Sequence, residues 1–196
     1  MKHIKYLVNA DDFGKSHKIN QAIVEEFLAG NITSASLMMK REASDNAVEL
    51  AKKHNIPVGL HFWLIDNYFS FFFQYFLGII DPLDIYDDMK YQIEVFIKTG
   101  LKLERIDSHL GIHFLPNIWR TMQQLMVAYK ITYVRNPIRK LYFNIFNIKR
   151  FLHDNIQWCF FKLNSNRFQS LPRMVDRTAK IPKDLEGLEI VAHPGE

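Results

Sequence analysis

Short apolar, β-prone runs alternate with helix-patterned segments along this chain, and most of the runs end in a residue able to do chemistry. Residues 4–8 run into Asn9-Ala10-Asp11-Asp12-Phe13-Gly14, which reads as a strand entering a polar loop. Ser16 caps a helix whose apolar positions Ile19, Ala22, Ile23 and Phe27 keep helical spacing, and Gly30-Asn31 stops it. A second strand follows over 32–38, a helix opening at Ser44 ends near His54-Asn55, and 58–61 form a third strand. Beyond an irregular aromatic stretch over 62–80, Pro82 starts a helix that Gly100 ends, and 105–108 read as a strand. Pro116 starts the next helix, 133–135 are a strand, 141–161 are patterned as a helix, and 188–192 are a last strand before His193-Pro194-Gly195.

This rhythm implies parallel strands joined by crossover helices, in an α/β fold. Six such strands fit an open sheet or a barrel, and the polar residues choose between them. Asp11-Asp12, His61, Asp107 with His109, Arg135 and His193 each stand at or just past the C-terminal end of a strand. Groups drawn from so many strands suit a closed or nearly closed barrel, whose strand ends share one mouth. An open sheet gathers its site at one crevice from fewer strands.

Composition removes several classes. Of 196 residues, 48% are hydrophobic and 23% charged, which excludes a disordered chain and supplies one core. The lone Cys159 excludes an internal disulfide and a cysteine-built zinc cage, and fits a reducing, cytoplasmic compartment. No apolar stretch reaches membrane-span length, and the first residues lack the apolar core of a secretion signal. The net charge of +4 is uneven: residues 136–183 hold ten basic and two acidic side chains, and the remainder is acidic. The basic character thus belongs to one segment, best read as a solvated face, and no nucleic-acid partner is expected. Aromatic residues crowd into 68–76, too short a run to span a bilayer.

Each polar residue alone has a plain structural reading. Asp11-Asp12 suits a turn, His61 a buried ring with a backbone partner, His193 a turn, and Arg135 a surface ion pair. Together they ask five strands to place polar groups at one end by coincidence. One Asp and two His from three strands make an open site for a divalent ion such as zinc. On a strand, residues 107 and 109 share a face, so Asp107 is expected to hold the ring of His109. The remaining acid, imidazole and guanidinium groups suit metal-assisted hydrolysis.

These residues are where the chain resembles the YdjC-type (ChbG-like) carbohydrate deacetylases, relatives of the NodB-type polysaccharide deacetylases. The matching residues are NADDFG at 9–14, ITSASLM at 32–38, GLH at 59–61, DSHLGIH at 107–113, YVRNP at 133–137 and HPG at 193–195. The resemblance implies an irregular (β/α) barrel of parallel strands, as one domain over 1–196 that stops short of its relatives at the C-terminus. It implies a divalent metal ion, Mg or Zn, held by Asp12, His61 and His109. It implies Asp11 as the general base, His193 as the acid and Arg135 as the group that orients the base. The implied substrates are N-acetylated sugars, chitooligosaccharides among them. The stretch Phe62-Trp63-Leu64-Ile65 lacks the polar residues usual after the GLH motif, and Gly111 stands where many relatives carry a further histidine.

Other readings fit some of these features. A two-His-one-carboxylate iron oxygenase would have His-x-Asp on one strand, and here Asp107-x-His109 runs in the reverse order. A non-catalytic, shortened family member would bind a sugar or an anionic partner through the basic segment. The aromatic run and the amphipathic 141–161 allow peripheral membrane contact or a homodimer, with core packing as the default. The turn after the last strand should hold His193 in the mouth if 188–192 pair within the sheet.

Overall fold

Helices return the chain between the first five strands, and every paired strand among the described residues runs in one direction. The computed structural model describes residues 6–65, 67–136, 173–178 and 185–196. Its strands are β1 (Tyr6–Phe13), β2 (Ser34–Leu37), β3 (Val58–Phe62), β4 (Arg105–Ser108), β5 (Tyr133–Val134), β6 (Arg173–Asp176) and β7 (Leu188–Ala192). They form one sheet in the order β5-β4-β3-β2-β1-β7-β6, with every neighbouring pair parallel. The helices are α1 (His17–Leu28), α2 (Ser44–His54), α3 (Tyr68–Phe76), α4 (Pro82–Lys98) and α5 (Pro116–Ala128). Ser16 caps α1 through the Ile19 N–H, and Asp81 caps α4 ahead of Pro82.

Strand parity separates two environments. Ala10, Ala35, Leu37, Leu60, Phe62, Ile106, Val134 and Ala192 face the helices and join the apolar core with Ile23, Met89, Ile93, Phe96, Ile118 and Met122. The alternate residues Asn9, Asp11, Ser34, Ser36, His61, Asp107, Arg135 and Glu189 are buried on the other face. That face is concave. Neighbouring strands lie about 4.8 Å apart, so β5 and β1 would stand roughly 19 Å from each other in a flat sheet. Yet Arg135, just past β5, reaches Asp11 on β1 at 2.7 Å. The sheet therefore curls into an incomplete barrel with a polar interior, the irregular parallel barrel expected, and β5 and β6 are its outer strands among the described residues.

Three details differ from the sequence reading, and a fourth reading is untested. β1 does not give way to a loop at Asn9: Asn9 and Ala10 pair with β2 on one side and β7 on the other, so the strand carries its polar residues to Phe13. A seventh strand, β6, joins the sheet, although Arg173–Asp176 has only two apolar residues to announce it. The aromatic stretch is not wholly irregular, because Asn67 caps α3 through the Ser70 N–H. The helix read over 141–161 lies outside the described residues.

Candidate active site

Successive residues of a strand face opposite ways, so Asp11 and Asp12 should not share a site. A register shift between Ala10 and Phe13 breaks the β1–β2 pairing there, and Asp12 takes a left-handed φ of 66°. Such a bulge re-aims a side chain at local cost. Asp11 thereby stays in the barrel interior while Asp12 turns to the mouth, where His61 and His109 meet it.

Around Asp12 the geometry suits a cation. The Oδ1 atom of Asp12 lies 3.1 Å from His109 Nδ1 and 3.5 Å from His61 Nε2. It is buried and has no hydrogen-bond partner. The Oδ2 atom accepts from Lys15 Nζ at 2.9 Å. An unpartnered buried carboxylate oxygen facing two imidazole nitrogens is the donor set a divalent ion completes, and the ligand atoms of Asp12, His61 and His109 all lie within 4.8 Å of one another. Burial raises the Asp12 carboxyl, but His109, His61 and Lys15 more than reverse this and hold it well below the ordinary carboxylate range. Two neighbouring groupings suit an ion less well. In Asp11, His61 and Asp107 the oxygens are already committed to Arg135 and His61, and Asp12, His193 and Glu196 share Lys15 between two carboxylates.

His61 is oriented from behind. Its Nδ1–H donates to Asp107 Oδ1, leaving Nε2 directed at Asp12. Burial alone would lower its pKa, but the carboxylates of Asp107 and Asp11 push it up to about 10 in the ion-free chain. Burial likewise raises Asp107, and Arg135 with His61 reverses this and brings it below the ordinary range. The expectation that Asp107 holds His109 is corrected here. Period-two alternation ends at Ser108, where the chain enters a 3-10 turn with Leu110 and Gly111 in the left-handed region. Asp107 instead stands in register beside His61 on β3.

Arg135 is the hub of the interior, and not a surface residue. Its Nη1 and Nη2 donate to the two oxygens of Asp11, each at 2.7 Å. Nη2 also lies 2.9 Å from Asp107 Oδ2, and Nε donates to Glu189 Oε1 at 2.7 Å. Burial opposes its charge, but Asp107, Asp11 and Glu189 overcome this and raise its pKa further. Asn9 Nδ2 donates to Asp11 Oδ1 and to Ser36 Oγ, both at 2.8 Å, and Ser36 Oγ donates to Asp107 Oδ2 at 2.7 Å. Arg105 closes the lower end, donating to Ser34 Oγ at 3.2 Å and to Asn9 Oδ1.

His113, which periodicity does not place, is buried and structural. Its Nε2–H donates to the Arg135 carbonyl at 3.2 Å, and its Nδ1 pairs with the Ser108 hydroxyl. Burial brings its pKa down to about 3, so the ring is neutral. His193 is exposed at the end of β7, and its ring nitrogen lies within 4.8 Å of the Asp12 and Glu196 carboxylates. β7 pairs with β1 and β6 along its length, which ties that turn down.

All six residues selected from sequence thus gather at one end of the sheet. Sequence reasoning did not single out Glu189, Ser36, Asn9, Arg105 and Lys15. The first four share the parity of Asp11, His61 and Asp107 on their strands, and that parity is the signal for them. Nothing local marks Lys15.

A curled parallel α/β sheet that gathers acidic, imidazole and guanidinium groups at its strand ends, around a buried carboxylate oxygen with no hydrogen-bond partner, defines a class of proteins with an ion-suited site in a barrel mouth. Within that class the chain belongs to the YdjC-like protein family, whose model matches residues 5–196. The carbohydrate deacetylase of Brevibacillus brevis is 30% identical over 97% of this chain and 81% of its own length. That of Geobacillus stearothermophilus is 35% identical over 68% of the chain and 58% of its own length. That of Mus musculus is 29% identical over 70% of the chain, and the match spans about half of the mouse protein, 52%. A crystal structure from Enterococcus faecalis V583, described as a cellobiose-phosphate cleavage protein, superposes with a TM-score of 0.72 over 96% of this chain and 80% of its own, at 18% identity, and so shares the fold.

Proposed function

We propose that the chain is a divalent-metal-dependent hydrolase that removes acetyl groups from N-acetylated sugars. The observation that carries this reading is the unpartnered Asp12 Oδ1 between two imidazole nitrogens, one residue from an Arg-clamped carboxylate. The names of the relatives support the substrate class. Asp12, His61 and His109 hold the ion, which when bound supplies Lewis acidity at the amide carbonyl and the attacking water.

The chain's own groups do the rest. Asp11 takes the proton of the attacking water, whose oxygen bonds to the acyl carbon. Arg135 grips both Asp11 oxygens and Asn9 takes the second lone pair of Oδ1, so Oδ2 is the oxygen with a lone pair left for that proton. Asp107 fixes the tautomer of His61, so that ring presents Nε2 to the mouth. His193 gives a proton to the departing amine as the C–N bond breaks, which yields acetate and an amino sugar. Its exposure gives it access to a sugar entering from solvent.

The test is an acetate-release screen on N-acetylated mono- and oligosaccharides, run on protein stripped of metal and then resupplied with Zn2+ or Mg2+. Release that appears only on resupply is expected. Release unaffected by chelation, or none on any N-acetylated sugar, contradicts the reading.

A further inference from the structure

The two oxygens of Asp12 are held unequally. Oδ1 is buried and has no hydrogen-bond partner, whereas Oδ2 accepts from Lys15 Nζ at 2.9 Å. That ammonium is set in place by its own backbone. The Lys15 N–H donates to the Asp12 carbonyl at 3.0 Å and closes a turn through Gly14, whose φ is 98°. The next residue, Ser16, caps α1. The Lys15 side chain therefore starts from a fixed turn and folds back on the residue three before it. On its far side Nζ also donates to Glu196 Oε1, in the segment that follows β7 and carries His193. The carboxylates of Asp12 and Glu196 thus share a cation that belongs to the chain itself.

As an ion pair alone the contact would add little stability, because its cationic end is open to water: the Lys15 side chain is 32% exposed and that of Asp12 2%. Its position gives it a sharper effect. A carboxylate can meet a divalent ion through one oxygen or chelate it through both. Chelation by Asp12 would bring Oδ2 to the ion, and an ammonium bonded to Oδ2 opposes that by its bulk and its like charge. Lys15 also offsets part of the carboxylate charge that attracts the ion. His61 and His109 face Oδ1, so the grouping is already arranged for ligation through that one oxygen. An ion held by one carboxylate oxygen and two imidazoles keeps a position open for a substrate atom, which a second carboxylate oxygen would fill.

We infer that Lys15 is a positioning residue of the ion site: it confines Asp12 to ligation through Oδ1 and holds down the affinity for a divalent ion. The inference rests on Asp12, His61 and His109 being the ion's ligands, and not on acetate release. Zn2+ titration calorimetry against a competing chelator, on metal-stripped wild type, Lys15→Met, Lys15→Gln, Lys15→Arg and His61→Ala, tests it without turnover. Lys15→Met and Lys15→Gln remove the charge and are expected to bind one Zn2+ on the order of 10-fold more tightly than wild type, with the gap narrowing at high salt. Lys15→Arg keeps the charge and should stay within about 3-fold of wild type. A strut that only supported Asp12 would give the opposite sign, since a loosened ligand binds more weakly. Neutral variants that bind no more tightly than wild type overturn the inference, as does Lys15→Arg binding as tightly as they do. The two readings fail separately. His61→Ala that binds Zn2+ like wild type would remove the ion site itself. Affinity lost in His61→Ala, beside none gained in Lys15→Met and Lys15→Gln, would remove the role of Lys15 alone.

Discussion

Asp11 and Asp12 are adjacent and yet meet different partners, because the β1 bulge sends one carboxylate inward to Arg135 and the other outward to His61 and His109. Asp11→Asn is therefore expected to keep the metal and lose about 100-fold or more in turnover, whereas Asp12→Asn loses the metal. Metal analysis beside acetate release on the two variants checks this, and the reversed pattern would exchange their roles. Glu189 neutralises the far side of Arg135 in a buried setting. Removing it takes away the acceptor of the Arg135 Nε–H while Asp11 and Asp107 still pair the guanidinium, so Glu189→Ala should cost about 1–3 kcal/mol in urea unfolding. His113 gives a pH dependence of known sign. Its native pKa, lowered to about 3 by burial, lies below the unfolded value near 6.5. Its contribution is thus complete above pH 6.5 and is lost as pH falls from there toward 3, by up to about 1.4 kcal/mol per pH unit. Comparing urea midpoints at pH 7 and 5 should show His113→Asn to be less pH-sensitive than wild type. Equal pH slopes in the two proteins would show that the ring titrates normally.

Elements rather than single residues decide which of these groups meet. The turn from β1 to α1 depends on Gly14, whose φ is 98° and whose added Cβ would lie 2.8 Å from the Met38 carbonyl. That backbone oxygen is held, since the Met38 N–H donates to Phe13 O at 2.8 Å. Gly14→Ala should then destabilise by about 1–3 kcal/mol and lower the melting temperature. A variant as stable as wild type would mean that the turn relaxes freely. The strand–helix alternation and most boundaries were legible from apolar period and caps such as Ser16 and Pro82. The bulge was not, because Asp-Asp-Phe-Gly has the composition of a loop and only the pairing on both sides keeps it in the sheet. The partner of Asp107 was misread for a related reason. Parity predicts contacts only while a strand continues, and β4 ends at Ser108, before the left-handed pair Leu110-Gly111. α3 escaped notice because a nearly all-aromatic run has no polar face to set its period.

At the scale of the molecule, the curl of the sheet makes one site from five strands. Strand-end chemistry indicated the barrel before any geometry, since no flat sheet brings the ends of β5 and β1 together. The depth of the interior network was less legible, because Ser36, Asn9 and Glu189 are ordinary strand-edge residues until curvature faces them toward one another. All of this geometry converges on the proposed site for a single ion among Asp12, His61 and His109. Zn2+ titration calorimetry on metal-stripped wild type, His61→Ala and His109→Ala measures that directly. The account predicts one ion per wild-type chain, with affinity reduced by roughly 100-fold or more in each histidine variant while circular dichroism shows the fold retained. Full-affinity, one-to-one binding in His61→Ala would contradict it.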